Sequence, residues 1–150
     1  MRPPAALLPL AALLLPAASC IEPPKHGQME QAISGLAHLH SWDPGTQARG
    51  QYAYDAVMSW GPEILPALVA HLTDETPTAI RDEISGRTVV VGDVCFLLAL
   101  QISGHSWKEF YDDGVFISTA LENTLFCIRW NDRASRFKVQ SRFRKFLPEE

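Results

Sequence analysis

Between Gly92 and Gly104 the chain carries Val94, Cys95, Phe96, Leu97, Leu98, Ala99, Leu100 and Ile102, with Asp93 as the sole charge. A segment apolar on nearly every side has no face to give to water, so the fold must be built around it. Its length and its Leu/Ala content predict a central buried helix rather than a buried strand. Asp93 suits the positive end of that helix's dipole, and Gly104 supplies a stop. With 150 residues the chain has room for one ordinary domain. A hydrophobic content of 47% excludes a disordered or collagen-like chain. A domain of this size needs no metal or disulfide staple to close a core.

The flanking segments carry helical spacing. Met29, Ile33, Leu36 and Leu39 mark an amphipathic helix over 28–40, ended by Trp42-Asp43-Pro44-Gly45. Ala53, Ala56, Val57 and Trp60 mark a second over 47–60, and Ile64, Leu65, Leu68 and Leu72 a third that starts near Glu63, where Pro66 is tolerable in the first turn. Residues 74–87 read as a polar connection, with a short extended piece over Thr88–Val91. Trp107–Tyr111 reads as a short helical piece and Asp112-Asp113-Gly114 as a turn. Ile117, Ala120, Leu121, Leu125 and Ile128 predict a helix over 117–130, and Phe137, Val139, Phe143 and Phe146 one over 134–147. The expected fold class is all-α: a small irregular bundle of five to six helices, packed as antiparallel pairs.

The N-terminus reads as an address. Arg2 precedes an apolar run from Ala5 to Ala18, which at 14 residues is short for a span of about 20. Ala17-Ala18-Ser19 then leads to Cys20, the pattern of a secretory signal peptide. Small residues before a cysteine resemble the lipobox of bacterial lipoproteins, which implies that Cys20 is lipidated and becomes the first mature residue. The pattern departs from that family at Ala17, where leucine is preferred, so plain cleavage near Ala18 or Ser19 stays open. Ile21 after the cysteine resembles outer-membrane sorting. The expected organisation is a signal peptide over 1–19, a lipidated flexible tether over 20–27 and one helical domain over 28–150, located in the outer membrane or periplasm.

Ala56 and Trp60, then Gly61-Pro62, then Ile64, Pro66, Leu68 and Leu72, closed by Asp74, resemble a HEAT-like helical repeat. Thr88–Val94 and the run through Ile102, Ser103 and Gly104 resemble the element that follows in HEAT-like proteins of uncharacterised bacterial families. The resemblance covers 50–105 and implies a binding scaffold with antiparallel helix pairs; it brings no catalytic residue. Such arrays usually stack three or more units, and only one is plain here.

Chemical motifs are sparse. His38 and His40, two apart, point to different helix faces, and with His26, His71 and His105 they form no HExxH or HxxxH pair, so neither metal nor cofactor is expected. Ser103-Gly104-His105-Ser106 is no nucleophile elbow. Cys95 and Cys127 sit in apolar runs, where buried thiols are ordinary, although a disulfide stays open in an exported protein. The acidic doublets Asp74-Glu75, Asp82-Glu83 and Asp112-Asp113 lack the alternation of a calcium loop. Charge is uneven: residues 1–128 hold 6 Lys+Arg and 14 Asp+Glu, a net −8, while 129–150 hold 7 and 3, a net +4. The basic tail suggests an anionic-surface contact through Arg133, Arg136, Lys138, Arg142, Arg144 and Lys145, or a helix that packs its aromatics into the core. The acidic body and the export address argue against nucleic acid. These features point to an envelope protein that acts by binding a protein partner. The alternatives are an inhibitor or immunity protein for an envelope-targeted toxin, and an enzyme with an unrecognised His/Cys site.

Overall fold

A computed structural model describes residues 25–43, 48–81, 86, 88–110, 117–119, 126–128 and 133–148. The expected signal peptide, Cys20 and the first residues of the tether lie outside them, as do Asp82-Glu83, Asp112-Asp113 and the side chain of Cys127. The molecule is mostly helical. In chain order it has α1 (Lys25–Gly35), α2 (Tyr52–Ser59), α3 (Leu65–Ala70), β1 (Pro77–Arg81), β2 (Thr88–Val90), α4 (Val91–Ser103), β3 (Ile117–Thr119), β4 (Phe126–Ile128) and α5 (Arg133–Arg144). Single 3-10 turns extend α1 through His38, open α3 at Gly61–Ile64, close it at His71–Thr73 and stand alone at Trp107–Phe110.

The all-round apolar segment is the central helix: every residue of α4 from Val91 to Leu100 is buried. Its start is fixed by Asp93, whose carboxylate accepts the Val90 N–H at 3.2 Å. Its end is Gly104, which adopts the left-handed conformation (φ +73°) and donates its N–H to the Leu100 carbonyl at 2.9 Å. Around α4, helix α1 packs on α2, while α3 packs on α4 and α5. Phe96 of α4, Phe110 of the 3-10 turn and Phe143 of α5 meet as one aromatic cluster, with Phe110 and Phe143 stacked at 4.5 Å and Phe96 edge-on to both.

Three expectations are corrected. Lys25, His26 and Gly27, expected within the flexible tether over 20–27, are the first turn of α1. The connection over 74–87 contains β1, which pairs antiparallel with β2 through Pro77↔Val90 and Arg81↔Thr88. Only Thr78 and Ile80 of β1 are buried, and the polar Thr78 is retained because its hydroxyl donates to the Val89 carbonyl at 2.8 Å. The helix expected over 117–130 is replaced at both ends by strand, with Ile117↔Ile128, Ser118↔Cys127 and Thr119↔Phe126 in register. Ile117, Thr119, Phe126 and Ile128, four of the six strand residues, are β-branched or aromatic and suit a pleated ladder better than a helix. No helix among the described residues is long and apolar enough to cross a membrane.

Candidate functional site

Among the described residues, an open groove of about 600 Å³ lies between the C-terminal half of α1 with its 3-10 turn and the start of α2. Gly35 lets the two helices approach, since a Cβ there would lie 3.3 Å from that of Ala53. Buried Leu39 and Ala53 give the groove an apolar floor, and Gln31, Ser34, His38 and His40 give it a polar rim. Gln51 holds one wall: its Oε1 accepts the His40 N–H at 3.1 Å and its Nε2 donates to the Ser41 carbonyl at 2.8 Å. Next to it the chain turns through Ala48 and Gly50, both at positive φ, and the Gly50 N–H donates to Asp55 Oδ2 at 3.1 Å. The next residue on the wall is Tyr52, which is 89% exposed at the lip. The sequence sets His38 and His40 on different helix faces, but the 3-10 turn ends at His38 and both line this rim. The other residues carry no sequence signal of a site, because the two walls lie in separate stretches and only folding brings them together.

A second constellation joins α1 to the end of α3. His71 places Nε2 2.7 Å from Glu30 Oε2 and Nδ1 3.3 Å from Asp74 Oδ2. Burial pushes the Asp74 carboxyl up. Hydrogen bonds from the Thr76 side chain and backbone and from His71, with the charge of His71, outweigh that and hold it below its ordinary value. Both ring nitrogens of His71 face carboxylates, so neither is left to take a proton from a substrate. The arrangement works as a strap between elements. Cys95 is a free, fully buried thiol. Burial, and then the negative charges of Asp74, Asp93 and Glu30, push its pKa well up, the opposite of what a nucleophilic cysteine needs.

His105 serves the turn at Trp107–Phe110. Its Nδ1 lies 2.8 Å from Glu109 Oε2, and its ring rests on Phe146 at 4.3 Å. Glu109 also accepts the Ser106 N–H at 2.8 Å, and that bond, followed by the one with His105, holds its carboxyl below the ordinary range. Ser103, His105 and Ser106 thus build a helix stop followed by a capped turn. Among the described residues, no group of three or more His, Cys, Asp and Glu is placed to hold a metal ion.

The basic segment divides in two. Arg136, grouped by sequence with the anionic-surface contacts, is buried: its Nη2 meets Asp93 Oδ1 at 3.0 Å and its Nη1 reaches the Leu72 carbonyl at 3.4 Å. One turn on, Gln140 Nε2 donates to the carbonyls of Val69 and Ala70, both at 2.9 Å. Together they bond carbonyls at the end of α3 and in its closing 3-10 turn. Gly92 makes room for this junction, since a Cβ there would lie 2.6 Å from the Leu72 oxygen and 2.8 Å from Arg136 Nη1. Arg133, Lys138, Arg144 and Lys145 are exposed and Arg142 is half-buried. Val139 and Phe143 are buried, as the core reading expected, whereas Phe137 and Phe146 stay 47% and 46% exposed. Compared with known protein families, characterised proteins and solved structures, the chain matches none.

Proposed function

We propose that this chain is an exported, lipid-anchored envelope protein that acts as a binding scaffold, holding a protein partner in the groove beside Tyr52. The observation that carries this reading is the coincidence of an open, apolar-floored groove of about 600 Å³ with a tyrosine 89% exposed at its lip. A large amphipathic side chain costs little entropy to immobilise and is the residue type that anchors protein interfaces. Supporting it, the titratable groups nearest to a catalytic arrangement are spent on structure: His71 on a strap, His105 on a turn and Cys95 in the core. The leader over 1–19, followed by Cys20, supports export and lipidation. Within this reading, Ala56–Asp74 is the HEAT-like unit, formed by α2 and α3 joined through Gly61-Pro62, and β2 with α4 is the element that follows within 50–105. Photo-crosslinking from position 52 in intact cells tests the reading. One discrete protein adduct is expected from position 52 and none from exposed Ala79 on β1. Identical adducts from both positions, or none from 52, would overturn it.

A further inference from the structure

We infer that the outward face of α5 seats the domain on an anionic lipid leaflet, its cations on lipid phosphates and the Phe137 ring in the headgroup layer. At 3.6 residues per turn, Arg133, Phe137, Lys138, Ser141 and Arg144, with Lys145 just beyond, fall within an arc of roughly 140°. All six are exposed, while Ser135, Arg136, Val139, Gln140 and Phe143 take the opposite arc and are buried. No residue from 133 to 148 is acidic. Among the described residues, Lys138, Arg144 and Lys145 pair with no carboxylate, and the Arg133 guanidinium lies 5.6 Å over the Phe137 ring. Burial of Arg136 against Asp93 sharpens the separation, because the one cation on the inner arc is neutralised inside the protein.

Exposed cations around an exposed aromatic form the pattern of a helix lying in a membrane interface. An acidic protein would satisfy the cations and leave the exposed Phe137 ring with only its contact to Arg133, so a lipid surface is the better fit. The placement agrees with it. Arg136 reaches Leu72, and Gln140 reaches Val69 and Ala70, so α5 runs antiparallel to α3. Its basic end is therefore carried toward the start of α3. There Lys25 pairs with Glu63 and lies 5.8 Å over the Trp60 ring. Lys25 follows Cys20 by five residues, at most about 18 Å of chain. Lys25 and the basic end thus lie toward the same end of α3.

This inference rests on the envelope reading but not on lipidation, and the test separates the two. The exported chain carrying Cys20→Ser is floated with phosphatidylglycerol-containing vesicles and with pure phosphatidylcholine vesicles. Binding to the anionic vesicles alone is expected, weakening as salt rises. Combined Lys138→Glu, Arg144→Glu and Lys145→Glu should lower it by at least about tenfold, and Phe137→Ser by several-fold, with the thermal transition unchanged. The milder Lys138→Gln, Arg144→Gln, Lys145→Gln set should give an intermediate loss, and stands in if the reversed set fails to fold. Equal binding to both vesicle types, or binding indifferent to these changes, overturns the inference. So does capture by polyglutamate without vesicle binding, which assigns the face to an acidic protein. Fatty-acid labelling of the unmutated chain reports on the anchor independently: missing label with vesicle binding retained sinks lipidation and leaves the docking face standing.

Discussion

Gly92 shows how far one residue governs this fold. It sits where the first turn of α4 meets the end of α3 and the guanidinium of α5, and its N–H donates to the Asp74 carbonyl at 2.9 Å. Gly92→Ala would set a methyl group 2.6 Å from the Leu72 oxygen and 2.8 Å from that of Asp74, both backbone atoms that cannot swing aside. A loss of about 1–3 kcal/mol is expected in urea unfolding, as for other overpacked sites. A variant as stable as the parent would show that the junction is looser than its geometry. Asp74 makes the adjoining strap sensitive to acid. Its carboxyl is held below the ordinary range in the folded state, so its ionised form stabilises the fold at neutral pH. That contribution is complete above the unfolded value, about 3.9 for Asp. It fades as pH falls through the lowered folded value. Asp74→Asn should therefore narrow the stability difference between neutral pH and pH below the carboxylate range, read as unfolding midpoints across a pH series. An unchanged difference would place the acid response elsewhere.

Elements differ in how legible they are. α4 is read correctly because Val94 through Leu100 are apolar all round, and burial on every side needs no knowledge of neighbours. The amphipathic spacing of α5 is equally plain. Its division of labour is not: Arg136 looks like Arg133 or Lys138 until the fold sets Asp93 opposite it. β1 escapes a sequence reading because Pro-Thr-Ala-Ile-Arg has only Ile80 as a large apolar residue, and its order comes from partners distant in sequence. One is Leu39, whose carbonyl accepts the Ala79 N–H at 3.0 Å. The span 117–130 misleads in the other direction, since Ile117 and Ile128 fit a helical period yet face each other across a ladder. The groove was illegible for a different reason: it is a relation between 31–40 and 50–53, and no local pattern encodes it. What fixes α5 is testable at this scale. Phe143 is fully buried against Phe96 and Phe110. Phe143→Ala should cost about 3–5 kcal/mol by transfer and cavity terms together. Phe137→Ala, on the outer face, should leave chemical unfolding nearly unchanged. Equal costs would mean that α5 is held by its cations and not by its aromatic face.

For the molecule as a whole, two attachments to the membrane are proposed, and they differ in physics. Acylation at Cys20 would add apolar transfer energy, indifferent to salt, whereas the face of α5 would add counterion-dependent attraction that fades once ions screen it. Two weak signals together hold a protein where either alone is marginal. With α1 beginning at Lys25 and α5 lying along α3, both would act on one packed set of helices and leave the groove beside Tyr52 to a partner. The Cys20→Ser chain in cells should then lose fatty-acid incorporation and keep its unfolding midpoint. It should also divide between membrane and soluble exported fractions in proportion that depends on salt. Washing the membranes at high ionic strength should release the variant and leave the unmutated protein behind. If the variant stays bound after the wash, a further apolar attachment holds this chain, and the two-signal account fails. If it is soluble even at low salt, the lipid carries the attachment alone and the α5 face serves another purpose.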